Sequence, residues 1–167
     1  MGALKIYEKL HCDYMSIVRR KVILKECQYL NKERDEKVKN DQDIIEYIIE
    51  VWNILCKNYR AEVSYLLEEN IMLLHTSYHE EEAHSRFRFK NGILTIEYLE
   101  LPSGLQNRGF TTTFLNNIEE EDNGIIEIRF LSVKASFMAE LLERKGYVSY
   151  VMSDLPRKCF KIRKNSN

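Results

Sequence analysis

The spacing of apolar residues divides the chain into helical and strand-forming segments. Between Asp41 and Asn58, apolar residues recur every three or four positions, which predicts an amphipathic helix with Trp52 in the core. Asp43 and Glu46, three residues apart, indicate a capping box at its start. Beyond this helix the period shortens toward two, as in strands. Strands are predicted over 63–67, 71–78, 86–89 and 93–101.

The second half of the chain alternates strand, loop and helix. Asn91-Gly92 is a hairpin signal between two strands, and a glycine-bearing loop covers 102–110. Helices are predicted over 114–120 and 137–145, and strands over 125–133, 147–152 and 159–162. This order predicts an α/β (α+β) fold, with a mixed, mostly antiparallel twisted sheet flanked by helices and one crossover.

The first 40 residues carry a weaker pattern. Helical spacing favours a helix over 3–15, and mixed β-branched and charged residues favour a strand over 16–29. The charged run 31–40 is typical of a solvated turn or helix end. We therefore expect 1–60 to be an N-terminal extension of the same domain and 61–167 to be its core.

Composition narrows the classes of function. The net charge is −1, from 25 basic and 26 acidic residues, which argues against a protein built mainly to bind nucleic acid or an anionic membrane. No apolar stretch approaches the ~20 residues of a membrane span, and the start does not resemble a signal peptide. The four cysteines are scattered, without a CxxC pair, which is typical of reduced thiols in a cytoplasmic protein.

The loop over 102–110 is the most informative segment for chemistry. A loop that enters a helix presents unpaired backbone N–H groups at the positive end of the helix dipole, which suits a phosphate. Gly104 and Gly109 permit close approach of the backbone, and Arg108 could add a charged donor. Neither a Walker motif nor GxGxxG is present, so nucleotide binding of those types has no support.

The stretch from Ile93 to Tyr147 resembles the C-terminal half of the GNAT superfamily of N-acyltransferases. That family carries a [Gln/Arg]-x-x-Gly-x-[Gly/Ala] loop, and here the loop runs from Gln106 to Thr111. Its last helix ends in Gly-Phe, and here the pair is Gly146-Tyr147. The resemblance implies an acetyl-CoA or other acyl-CoA cofactor, an amine acceptor, and a V-shaped opening between 93–101 and 125–133.

The resemblance also implies a set of cofactor-binding residues. They are Leu99, Leu101, Gln106, Asn107, Arg108, Gly109, Phe110 and Thr111. The cofactor loop is degenerate, because Thr111 stands where the family has a second small residue. Ser136 replaces the family's Asn, and Leu142 replaces its frequent proton-donating Tyr.

The candidate catalytic residues are Glu97, Glu100 and Tyr147. A carboxylate beside the thioester could act as the general base, directly or through a water. Glu97 and Glu100 are three residues apart on a strand, so at most one can face the cleft. Surface carboxylates on a half-exposed strand are the alternative. Tyr147 is the candidate proton donor.

Two further clusters carry little chemistry. His75 and His79 would lie ~13 Å apart on a strand, so no metal site is predicted. The basic end, 157–164, is either a solvated tail or a patch for a CoA ribose phosphate or an acidic partner.

Three functional hypotheses follow. The first is a GNAT-like N-acyltransferase that transfers an acyl group from acyl-CoA to an amine. The second is a non-catalytic GNAT-fold binding or regulatory protein with a decayed cofactor site. The third is an interaction protein whose N-terminal 60 residues pair with a protein partner or a second copy of the chain.

Overall fold

The computed structural model of the protein describes residues 40–120, 123–155 and 157–164. Helices α1, α2 and α3 span Asp41–Tyr59, Phe110–Glu119 and Ser136–Arg144. Strands β1 to β7 span Glu62–Glu68, Ile71–Tyr78, Glu81–Lys90, Ile93–Tyr98, Glu127–Phe130, Val148–Tyr150 and Cys159–Arg163. The helix and strand predicted over 3–15 and 16–29 lie outside the described residues. In the part of the chain described, no helix has the length and apolar character needed to cross a membrane.

The strands form one sheet in the order β1-β2-β3-β4-β5-β7-β6. Strands β1 to β4 are an antiparallel meander, and β5, β7 and β6 also pair antiparallel. Strands β4 and β5 pair in parallel, with α2 in the crossover between them. The predicted fold class, a mixed and mostly antiparallel sheet flanked by helices, is confirmed.

Helix α1 forms where the apolar stripe predicts it, but its cap lies one turn earlier than expected. Asn40 Oδ1 accepts the N–H of Asp43 at 3.0 Å, and Asp43 Oδ2 accepts the N–H of Asn40 at 3.2 Å. The capping box predicted on Asp43 and Glu46 is therefore wrong, because Asp43 is the third helical residue. In the first turn, Asp41 Oδ2 accepts the N–H of Asn91 at 3.0 Å, which ties α1 to the β3–β4 turn.

Trp52 lies at the centre of the core, between α1, α2 and the sheet. Its ring meets Phe110 and Phe114 edge-on at 5.0 Å and Phe87 at 5.5 Å. Its Nε1 donates to Thr76 Oγ1 at 3.0 Å, so the indole is fully buried with its polar atom satisfied. The prediction that Trp52 is a core residue is confirmed.

Helix α2 begins at Phe110, one turn before the predicted start. Three consecutive threonines, from Thr111, weaken the helical signal because β-branched residues are poor helix formers. Burial of the Phe110 ring and a 2.8 Å hydrogen bond from Thr113 Oγ1 to Gly109 O stabilise this turn.

Replacement of Phe114 by alanine tests the assignment of the core. We expect Phe114→Ala to lower the free energy of unfolding by about 3–5 kcal/mol, because a fully buried ring is lost. Phe137→Ala is the matched control, since that ring is 59% exposed, and its effect should stay within about 0.5 kcal/mol. Urea denaturation followed by circular dichroism measures both, and equal losses would contradict the assigned core.

Candidate functional site

Strands β4 and β5 part where their parallel pairing ends. The last backbone hydrogen bond that they share runs from Leu131 N to Ile96 O, at 3.0 Å. Beyond it the chain after β4 turns to β3, where the Glu100 N–H donates to Ser85 Oγ at 3.1 Å. The chain after β5 turns the other way, because the Val133 N–H donates at 3.0 Å to the segment leading into β7. This divergence is the V-shaped opening that the sequence resemblance implies.

A cleft of about 850 Å³ lies at this opening. Its walls are the loop after β4, the first turn of α2, the start of β3 and one face of α3. The volume falls within the roughly 300–1,000 Å³ of small-molecule pockets. The predicted cofactor-binding residues that line it are Leu99, Leu101, Gln106, Asn107, Gly109, Phe110 and Thr111. Arg108 is not among the residues that line the cleft.

The loop twice enters the left-handed region before α2 begins. Asn107 has a φ of 56° and Gly109 a φ of 83°. Glycine adopts this conformation without strain, and asparagine more readily than most residues. The first backbone hydrogen bond of the helix runs from Thr113 N to Gly109 O at 2.9 Å.

Six consecutive N–H groups, from Asn107 to Thr112, have no hydrogen-bond acceptor among the described residues. We call them the amide row. They lie at the positive end of the α2 dipole and include two left-handed residues, Asn107 and Gly109, as in an anion-binding nest. The amide row is therefore able to hold an anionic group such as a phosphate.

Side chains brace the loop from both ends. The Glu81 carboxylate accepts the hydroxyl and the backbone N–H of Ser103, each at 2.6 Å. These hydrogen bonds favour the ionised form, so they lower the pKa of Glu81. Gln106 Nε2 donates to Leu101 O at 2.8 Å, which closes the loop on itself. Gln106 thus stabilises the loop with its side chain.

Arg108 contacts protein groups outside the cleft. Its Nη1 donates to Tyr78 Oη and to Gly104 O, each at 3.2 Å. The guanidinium carbon lies 5.3 Å from the ring centre of Tyr59 and 5.9 Å from that of Tyr78. This geometry gives no support to a direct bond from Arg108 to a ligand phosphate.

The structure separates the two candidate bases. A register shift between Arg86 and Phe87 of β3 marks a bulge at Glu97. The Glu97 carboxylate pairs with Arg86 Nε at 2.9 Å and Arg88 Nη2 at 2.6 Å, away from the cleft. Glu100 is exposed and lines the cleft. As the strand spacing implies, only one of the two carboxylates faces the cleft.

Tyr147 lies at the opposite end of α2 from the cleft. Its hydroxyl donates at 2.8 Å to Oε1 of Glu119, the last residue of α2, whereas the cleft meets the first turn. Ten helical residues rise ~15 Å, so the hydroxyl is about that far from the amide row. Burial, with a smaller effect of Glu119, raises the pKa of Tyr147. The geometry does not support Tyr147 as a proton donor in the cleft.

Sequence reasoning missed one wall of the cleft, the face of α3. Phe137, Leu141 and Arg144 lie on this wall with two neighbouring residues. The apolar pattern predicts the helix over 137–145, and Leu142 is the residue of α3 that is buried. The spacing of four and then three positions between Phe137, Leu141 and Arg144 is the signal of this second stripe.

Comparison with known proteins finds similarity to solved acetyltransferase structures. No protein-family model and no curated protein matches the chain. The ribosomal-protein-S18-alanine N-acetyltransferase of Escherichia coli is 10% identical, with a TM-score of 0.45 over 60% of this chain and 74% of that one. The PaiA N-acetyltransferase of Thermoplasma acidophilum, in complex with coenzyme A, is 12% identical, with a TM-score of 0.44 over 70% of each chain. A GNAT-family acetyltransferase of Staphylococcus aureus is 12% identical, with a TM-score of 0.44 over 75% of this chain and 93% of that one.

The Glu81–Ser103 contact gives the loop a pH dependence of defined sign. In the folded protein the pKa of Glu81 lies below its value in the unfolded chain. The ionised carboxylate therefore stabilises the fold at pH values above the unfolded pKa. This contribution is lost as the pH falls through the folded pKa. Glu81→Gln should therefore be less stable than the wild type at pH 7, with a difference that shrinks below about pH 4.

Denaturation midpoints measured at a series of pH values test this expectation. Glu62→Gln is the control, since it removes an exposed carboxylate on the edge strand β1, two strands away from Glu81 on β3. The same pH-dependent loss in both variants would contradict the assignment.

Proposed function

We propose that the protein is an acyl-CoA-dependent N-acyltransferase that transfers an acyl group to an amine in the cleft between the loop after β4 and α3. The observation that carries the proposal is the amide row, which opens onto this cleft at the start of α2. The GNAT-like motif at 106–111 points to the same residues.

The amide row suits the pyrophosphate of an acyl-CoA. Backbone donors with no competing acceptor need no rearrangement before they bind an anion, and the α2 dipole adds to the attraction. Leu99 and Leu101 line the adjoining part of the cleft and would contact the less polar pantetheine arm. When bound, the acyl-CoA supplies a thioester carbonyl carbon that an amine nitrogen can attack.

The acidic side chains of the cleft suit a cationic amine. Glu81, Glu82, Glu100 and Glu140 line the cleft, and Arg144 is the one basic residue among the described residues of its lining. An excess of carboxylates raises the local concentration of a protonated amine. Glu100 is the candidate that would take the proton, directly or through a water, because an amine attacks only in its neutral form.

A second candidate function is acyl-CoA binding without transfer. Two placements favour it: Tyr147 lies away from the cleft, and Leu142, at the family's tyrosine position, is fully buried. Neither side chain can protonate a leaving thiolate in the cleft. The two candidates share the cofactor site and differ only in turnover.

Substitution of Thr111 tests the cofactor site. Thr111→Glu places a carboxylate at the second position of α2, where the dipole favours it for folding, but it repels a phosphate at the amide row. We expect wild-type protein to bind acetyl-CoA with a Kd near or below ~100 μM. In Thr111→Glu the Kd should rise about tenfold or more, which corresponds to about 1.4 kcal/mol.

Thr111→Gln is the matched neutral control for this calorimetric titration. It is similar in size to glutamate and carries no charge, so its Kd should stay within about threefold of the wild type. Equal affinities of the Glu and Gln variants would place the cofactor away from the amide row. No binding by the wild type at millimolar acetyl-CoA would show that the protein does not bind this cofactor.

Turnover of Glu100→Gln distinguishes the two candidates. If Glu100 is the general base, kcat should fall about 10²–10⁴-fold while the acetyl-CoA Kd stays unchanged. Chromatographic detection of CoA release, with a polyamine and a lysine-containing peptide as acceptors, measures this. Glu97→Gln is the control outside the cleft, and it should retain wild-type kcat. Tight acetyl-CoA binding with no release by wild type would favour the non-catalytic function.

A further inference from the structure

Arg108 connects the amide row to two other parts of the fold. Its backbone lies within the row, while its guanidinium reaches back to the end of β2, where Nη1 donates to Tyr78 Oη at 3.2 Å. The same Nη1 donates to Gly104 O at 3.2 Å, inside the loop. One side chain thus holds the two ends of the loop together and ties both to the sheet.

Tyr59 fixes the backbone of the same residue. Its hydroxyl, at the last position of α1, donates to Arg108 O at 2.8 Å. Its ring lies 5.3 Å from the guanidinium carbon of Arg108 and 5.5 Å from the ring of Phe110. The peptide at the centre of the amide row is therefore held through both its carbonyl oxygen and its side chain.

Gly104 shows how closely the loop is packed on this support. A Cβ atom at Gly104 would lie 2.5 Å from Cε1 of Tyr78, well inside van der Waals contact. The absence of a side chain lets the Gly104 carbonyl come within reach of Arg108. The loop, Tyr78 and Arg108 therefore fit together as one packed unit.

We propose that Arg108 is a positioning residue, which, with Tyr59 and Tyr78, holds the amide row in the geometry that binds phosphate. This proposal rests on the proposed acyl-CoA function. The guanidinium acts through the loop backbone and does not touch the ligand. Anion affinity therefore depends on the planar, two-sided contacts of arginine at this position and on the Tyr59 hydroxyl.

Two conservative variants distinguish positioning from direct charge contact. Arg108→Lys keeps the positive charge but lacks the planar fork and the ring stacking of arginine. Tyr59→Phe keeps every charge and every ring, and removes the hydroxyl that donates to Arg108 O. A positioning role predicts weaker CoA binding in both, by about fivefold or more, since preorganisation is lost.

Tyr47→Phe is the matched control. Tyr47 is another buried tyrosine of α1, and its hydroxyl donates at 3.2 Å to the carbonyl oxygen of Asn117, near the other end of α2. The CoA affinity of Tyr47→Phe should stay within about twofold of that of the wild type. Pantetheine, which has no phosphate, is the control ligand, and its affinity should be unchanged in all three variants. Calorimetry gives these affinities, and thermal melts confirm that each variant is folded.

Wild-type CoA affinity in Arg108→Lys, with loss only in Arg108→Gln, would overturn the proposal in favour of direct charge contact. Unchanged affinity in Tyr59→Phe would also overturn it. Equal loss of CoA and pantetheine would indicate general damage to the fold and would count against positioning.

Backbone relaxation of the free protein separates this proposal from the proposed function. The amides from Asn107 to Thr112 should have order parameters near ~0.85 in wild type and below ~0.6 in Arg108→Lys and Tyr59→Phe. If the wild type binds no CoA, the proposed function fails. If the order parameters of the two variants also equal those of the wild type, the positioning role of Arg108 fails as well. Loosening in both variants, but not in Tyr47→Phe, supports it.

Discussion

The burial of Phe110 is the contact on which both the core and the candidate site depend. Its ring is almost wholly buried, 5.0 Å from Trp52 and 5.5 Å from Tyr59. The residues on either side of it, Gly109 and Thr111, line the cleft. Because Phe110 is the first residue of α2, the burial of its ring in the core fixes the start of the helix and, with it, the position of the amide row. At this end of α2, the packing of the core therefore also sets the geometry of the candidate ligand site.

The cleft itself follows from a change of partners in the sheet. Strands β4 and β5 pair in parallel with each other, and each also pairs antiparallel with a strand on its other side. Where the hydrogen bonds between β4 and β5 end, each chain continues along its other neighbour. Here the chain after β4 turns to Ser85, and the chain after β5 turns toward β7. The gap lies at the carboxyl ends of β4 and β5, where open α/β sheets commonly bind ligands. Its position is thus a property of strand order more than of any one side chain.

Local patterns predicted the parts of the fold that local physics determines. The stripe of α1 and the Asn91-Gly92 hairpin, with its two positive φ angles, lie where expected. The start of α2 was placed one turn too late, because its threonines signal poorly and the stabilising contact of Phe110 with Trp52 joins residues far apart in sequence.

The candidate site was predictable in its loop and not in its orientations. The motif and its glycines locate the amide row, because the residue types of a loop largely determine its local backbone conformation. The choice between Glu97 and Glu100 depends on a bulge and on two arginines of the neighbouring strand. The direction of the Arg108 side chain depends on Tyr59 and Tyr78, and no spacing rule places these beside it.

Helix α1 is held at both ends, and this has a mechanical consequence. Asp41 anchors its start to the β3–β4 turn, and Tyr59 anchors its end to the loop, about 27 Å apart along a helix of 19 residues. A helix fixed at both ends resists movement, so the loop before α2, which it supports, is not suited to act as a lid. We expect a ligand to enter past the α3 wall, where Phe137 is largely exposed, and any closing movement to belong to that side.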